Sequence, residues 1–202
     1  WYSAARILGG FFTALTLGTV LGWVASRLWV IETLLRPITA VIKATPVASF
    51  IILVLLWFSG KNLSVIISML MVFPVIYMNV LEGIRSADEK LLEMAQVFRL
   101  SVGKKLLYIY LPAVAPFFVS ACSVSLGLCW KSGIAAEVIG TPDGSIGAVF
   151  YQAKIFLQTS ELLAWTVVVV AVSVAFEKLF MLLLRLILKK LKMEDVLNGK
   201  RA

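Results

Sequence analysis

Glu93, Phe98, Arg99 and the pair Lys104-Lys105 share one polar stretch, residues 82–110, between two long apolar runs. A carboxylate, an aromatic ring and several cations at that spacing suit pairing with, and plugging into, a partner surface. They do not suit catalysis. The chain has no histidine, so the usual general base and the commonest metal ligand are missing. Cys122 and Cys129 lie seven apart in an apolar run, two helical turns, on one face but too far apart to bridge. They read as buried small residues, with no metal and no catalytic role. No Gly-x-x-x-x-Gly-Lys-Ser/Thr phosphate loop is present.

A second group of polar residues interrupts apolar sequence elsewhere. Lys43, Thr45 and Pro46 break one run; proline removes a donor from the helix ladder, and such breaks at membrane depth are buried in protein or line a cavity. Pathway and simple kink are both open readings. Trp130, Lys131 and Glu137 fall near the end of another run. Lys131 can attract an anionic solute or snorkel beside an interfacial tryptophan. Glu137 can contact a docking protein or close a gate.

The elements that position these residues must lie in lipid. Of the 202 residues 61% are hydrophobic and only 15% charged, and the mean hydropathy is +0.98. About 20 apolar residues cross a bilayer. Five spans are predicted, near 7–26, 38–58, 63–81, 111–130 and 162–188. Gly18 and Gly22 form a small-xxx-small pair for close helix packing. The net charge of +8 reflects basic loops rather than nucleic-acid binding. Alternating five spans puts residues 27–43, the 82–110 stretch and the basic tail (Lys189, Lys190, Lys192, Lys200, Arg201) on one side, the cytoplasm. The mixed stretch 131–160 and Trp1 then lie outside, and a sixth span is expected upstream. Glu177 and Lys178 read as markers of the cytoplasmic border of the last span.

Within 82–110 apolar residues recur at helical spacing: Leu91, Leu92, Ala95, Phe98. The pattern predicts an amphipathic helix over 88–100, capped by Ser86, with Asp88, Glu89 and Glu93 early, where carboxylates suit the helix dipole. Ser101-Val102-Gly103 reads as its stop, Lys104–Tyr110 as a second helix, and Pro112 as the start of the fourth span. A basic face would suit lying on lipid; this acidic start suits a protein partner. Glu93 is then either a contact or a solvated charge, and Phe98 either a plug for a partner groove or packing under the fourth span.

Glu93-Met94-Ala95 followed by Leu111-Pro112 resembles the EAA loop of binding-protein-dependent ABC importer permeases. That pattern has Glu-Ala-Ala, a Gly four residues after the last Ala, and a closing Leu-Pro. This chain departs from it at Met94 and at Arg99, where the Gly falls, and Gly103 is the expected substitute hinge. Thr45-Pro46-Val47-Ala48-Ser49-Phe50, Leu56-Trp57-Phe58-Ser59-Gly60, Leu126-Gly127-Leu128-Cys129-Trp130-Lys131-Ser132 and Ala135-Ala136-Glu137-Val138-Ile139-Gly140 are similar to the nitrate/sulfonate/taurine branch. The resemblance covers nearly the whole chain.

It implies an all-α polytopic bundle of the type I importer kind, one permease domain over 1–202, in a bacterial inner membrane with a cytoplasmic C-terminus. It implies a second permease copy, cytoplasmic ABC ATPases that hold ATP and Mg, and an extracytoplasmic substrate-binding protein. Docking would fall to Glu93, Ala95, Phe98, Arg99, Gly103, Leu111 and Pro112. The chain itself would carry no cofactor and hydrolyse nothing. Small anions are the favoured solutes, with a pyrimidine or thiamine precursor as the alternative within transport. A membrane enzyme lacks a catalytic constellation here. A non-transport anchor recruiting a soluble complex is the rival from another class, against which Pro46 and Pro74 favour a moving pathway.

Overall fold

The computed structural model describes residues 1–190; Lys192, Lys200 and Arg201 of the basic tail lie outside the described residues. The described residues form helices α1 (Tyr2–Arg27), α2 (Trp29–Ala44), α3 (Val47–Trp57), α4 (Gly60–Arg85), α5 (Glu89–Val97), α6 (Val102–Lys105), α7 (Leu111–Gly140), α8 (Ile146–Ile155) and α9 (Thr159–Lys190), with a π turn over Leu106–Tyr110. Four stretches are each long and apolar enough to cross a membrane: α1, α4, α9 and the continuous helix Val102–Gly140. α2 and α3 pass the same test together, across a bend of 108°.

Proline chemistry makes that bend. The ring of Pro46 disfavours helical backbone in the residue before it, and Thr45 is extended (φ −81°, ψ 133°). α2 therefore ends, and α3 restarts with Ser49 N–H donating to the Pro46 carbonyl. Residues 27–37, left between the first two expected spans, are helical from Trp29 on.

The direction of α4 shows what the broken pair does. A Cβ on Gly10 would meet Ser68, one on Gly18 would meet Ile76 at 2.9 Å, and one on Gly22 would meet Val80 at 3.0 Å. Each partner lies the same number of positions further along the chain, so α1 and α4 touch in register and run in parallel. The chain can enter α4 in the direction of α1 only if α2 and α3 have carried it back. The pair is thus one broken crossing, not a re-entrant loop, and five crossings result. The missing side chains at Gly18 and Gly22 permit the close approach.

α7 runs antiparallel to both. Gly83 abuts Val114, Ser68 donates to the Cys129 carbonyl at 3.2 Å, and Gly60 abuts Gly140. The core lies between these three helices, on Ile7, Phe11, Val72, Ile76, Leu126 and Trp130. Cys122 and Cys129 are buried free thiols in the same cluster. α9 leans on α7 and α8, with Phe180 edge-on to Phe11 of α1, and its most apolar window has no buried residue. Its valines and leucines form an apolar surface that a bilayer or a second copy can cover.

Two expectations need correction here. The stretch 131–160 is not a loop: α7 continues to Gly140, and α8 fills half of the rest. Glu177 does not mark the border of the last span. Its carboxylate accepts from Ser123 Oγ at 2.8 Å, whereas Leu188 packs beside Ala115 at the end of the bundle. Eleven residues of helix put Glu177 roughly 16 Å inside that end.

Candidate functional site

One end of the bundle gathers Arg27, Arg85, α5, α6 and the end of α9. α5 is capped by Asp88, whose side chain accepts from Lys90 N–H at 2.8 Å. The expected cap, Ser86, instead closes α4, donating to the Gly83 carbonyl at 2.9 Å. Asp88 wins because its short carboxylate reaches the free N–H groups of the next turn.

A single methyl group fixes α5. Ala95 is fully buried, beside Ala87 and Ile109, with Leu92, Leu100, Tyr110 and Ala113 around them. A larger side chain there would force the helix off the π turn, which accounts for alanine. The other faces of α5 are open. Glu93 is exposed, Phe98 is 71% exposed, and Leu91, Met94, Val97 and Val102 are exposed with it. Phe98 is therefore not packed under the fourth span.

The helix closes in a Schellman motif. Arg99 N–H donates to the Gln96 carbonyl at 3.0 Å and Leu100 N–H to the Ala95 carbonyl at 2.9 Å. Both bonds need a left-handed residue between them, and that residue is Arg99 itself, at φ +50°. Gly103 is not the hinge: it lies inside α6 and is not among the glycines with positive φ. Sequence reasoning placed the compensation four residues too late. Arg99, where the resemblance puts a glycine, thus takes the left-handed backbone and bears the strain of a side chain there.

Beyond Ser101 the chain is helical without interruption to Gly140. The separate helix expected at 104–110 is the α6–π–α7 junction. Pro112 has no N–H to give the Tyr108 carbonyl, and the turn before it widens: Leu111 N–H reaches back to Leu106. Leu111 packs on the Ala115–Leu188 cluster. α5 and the fourth span thus meet at Ala95, Ile109 and Tyr110. Two contacts that sequence reading missed brace this end. Arg85 pairs with Glu32, tying the start of α2 to the end of α4. The Arg27 guanidinium lies over the rings of Trp23 and Tyr110, at 5.5 and 5.3 Å. The four-residue spacing of Trp23 and Arg27 on one helix face was a usable signal for the first of those rings; the others depend on long-range packing.

The second group of candidates does not assemble into one site. Lys43 is exposed in the last turn of α2, with Nζ 3.6 Å from Met78 Sδ. Pro46 is exposed at the bend. Lys131 is exposed and sits two residues beyond Cys129, which is level with Ser68. Met78 and Ser68 are ten residues apart on α4, about 15 Å along the axis, so the two lysines lie at different depths. Trp130 is a core residue, 2% exposed, not an interfacial anchor.

Glu137 is fully buried at the opposite end of the bundle, so its side chain is not displayed to a docking protein. It accepts from Ser3 Oγ at 2.6 Å and Gly147 N–H at 3.4 Å. Ser3 Oγ in turn accepts from Ile146 N–H at 2.9 Å. The carboxylate thus faces the first turn of α8, where helix N–H groups favour a negative charge. It joins α1, α7 and α8. Its partners lie too far away in sequence to be inferred from spacing.

Residues 14–193 match the family of the binding-protein-dependent transport system inner membrane component. The chain is 30% identical, over 93% of its length, to the putative aliphatic sulfonates transport permease protein of Bacillus subtilis, and spans 68% of that protein. It is 26% identical, over 87% of its length, to the taurine transport system permease protein of Escherichia coli, and spans 64% of it. In fold it is similar to a solved amino acid ABC transporter, with TM-score 0.64 over 94% of each chain at 17% identity.

Proposed function

The chain belongs to the binding-protein-dependent transport system inner membrane component family, the permease part of ABC importers, and on that premise we propose how it is coupled and what it carries. The end bearing Arg27, Arg85, Lys90, Lys104 and Lys105 faces the cytoplasm, because basic residues are retained on that side. The C-terminus of α9 lies at the same end. There α5 docks a cytoplasmic ABC ATPase, which holds ATP and Mg, while this chain hydrolyses nothing. The observation that carries the reading is the division of labour on α5: Ala95 buried against the π turn, Glu93, Met94 and Phe98 presented outward.

That anchoring gives a route for force. Movement of the ATPase pair displaces α5, and the Ala95 contact passes the displacement to Ile109 and Tyr110, which continue into the fourth span. A second permease copy covers part of the exposed apolar surface, and an extracytoplasmic binding protein delivers solute to the opposite end. The solute is a small anion, supported by the sulfonate and taurine permeases among the relatives; Lys43 and Lys131 are exposed cations it can meet.

The test is co-purification of the chain with its ATPase, followed by transport-coupled ATP hydrolysis. Glu93→Lys and Phe98→Asp should each weaken ATPase retention roughly tenfold or more, as loss of an interface anchor does. Thermal stability of the permease alone should barely move. Undiminished ATPase binding and coupled hydrolysis in both variants would sink the docking role.

A further inference from the structure

A second binding site lies at the basic end. Two cavities meet there, of about 450 and 400 Å³, within the size range of ligand pockets. They share Trp23, Leu106 and Tyr110 as a common wall. The larger one is apolar, walled by Val80, Ile84, Leu107 and Val114, with Thr19 among its lining residues. Thr19 is eight residues from the end of α1 at Arg27, so the slot reaches roughly 12 Å into the bundle. The smaller cavity is its mouth, where Arg27 and Lys105 stand beside Gln96. No acidic side chain lines either cavity among the described residues. Arg27 is held in place by the two aromatic rings rather than by a carboxylate, which leaves its guanidinium edge free for an anion.

We propose that this slot holds an anionic phospholipid, with one acyl chain among Trp23, Val80, Ile84 and Leu107 and the phosphate between Arg27 and Lys105. Three features select that occupant over a soluble one. The apolar part runs along the membrane-spanning helices, the cations sit where those helices end, and an interfacial tryptophan lies between the two zones. Basic pockets between transmembrane helices on the cytoplasmic side favour anionic head groups, at about fivefold in affinity per cation. The π turn and Gly103 form part of the wall, so the lipid would touch the same junction that carries α5. The inference needs this end to lie at a bilayer surface; it does not depend on ATPase docking.

Reconstitution of the full chain in nanodiscs tests it. Trp23 is the reporter, and subtracting the signal of Trp23→Phe isolates it from the other five tryptophans. Phosphatidylglycerol brominated on its acyl chains should quench Trp23 several-fold better than equally brominated phosphatidylcholine at the same mole fraction. Arg27→Gln and Lys105→Gln should each remove roughly fivefold of that preference. Arg27→Lys, which keeps the charge, should retain most of it and guards against misfolding. Gly103→Phe, at a position where a Cβ meets nothing within 4 Å, should fill the slot and cut quenching by both lipids. Equal quenching by the two lipids, no quenching of Trp23, or a preference untouched by both glutamine variants would overturn the proposal. So would relief of quenching by inorganic phosphate, which would assign the cations to a soluble anion.

Discussion

The two ends of the bundle use polar residues in opposite ways. At the α5 end Glu93, Arg99 and Lys104 are exposed, and one methyl group, that of Ala95, does the anchoring. At the α8 end the carboxylate is inside. Glu137 ties three helices together, and around it Arg6 Nη1, Ser64 Oγ and its own Oε1 are buried without a hydrogen-bond partner. An exposed charge costs little and is available to a partner. A buried one costs several kcal/mol in lost solvation and is tolerated only where it is held. The contrast suggests an end made to be touched and an end made to be fastened.

The largest effect should come from the fastened end. Glu137→Ala strands Ser3 Oγ and the Gly147 N–H and removes the negative charge that acts on Arg6. Loss of one partner from such a buried charged cluster costs about 3 kcal/mol. Thermal unfolding in detergent should show it, whereas Glu93→Ala should stay within about 0.5 kcal/mol as a surface change does. Comparable losses at the two sites would erase the distinction. Gly147→Ala comes next. Its Cβ would lie 2.3 Å from the Glu137 carbonyl carbon and 2.5 Å from Val138 N, backbone that cannot step aside. A cost of about 2 kcal/mol is expected from such overpacking. A tolerated alanine would show α8 to be loosely docked, and the end less fastened than its hydrogen bonds suggest.

The sequence made the long helices and the short helix α5 legible because both rest on local pattern. The apolar run lengths, the three-and-four spacing of Leu91, Leu92, Ala95 and Phe98, and the break at Pro46 are all written within a few turns of chain. The parallel packing of α1 on α4 was not visible, although its glycines were. Gly18 and Gly22 announce a close approach without naming the partner. Glu137 was misread for the same reason. Its partner Ser3 is 134 residues away, so a carboxylate near a span end looked like surface. Glu177 was misplaced because α9 is longer than a bilayer requires, and position along a helix does not give depth until a neighbour fixes it.

The smallest effect should be a gain, at the end made to be touched. Arg99 occupies a left-handed backbone position that costs a residue with a Cβ about 1 kcal/mol more than glycine. Its side chain is exposed, so little packing opposes the exchange. Arg99→Gly should therefore stabilise the exit turn of α5 by about 0.5–1 kcal/mol, somewhat offset by the freer unfolded chain. Slower amide exchange at Arg99 and Leu100, whose N–H groups close the motif, is the direct reading. Gly103→Ala supplies the contrast. It sits in helical backbone with open space at its Cβ, and alanine should be neutral or slightly favourable there. If Gly103→Ala instead uncoupled ATPase activity while Arg99→Gly changed nothing, the hinge would belong at residue 103 after all. The Schellman turn at Arg99 would then be only a stop for α5, with no part in passing force to the fourth span.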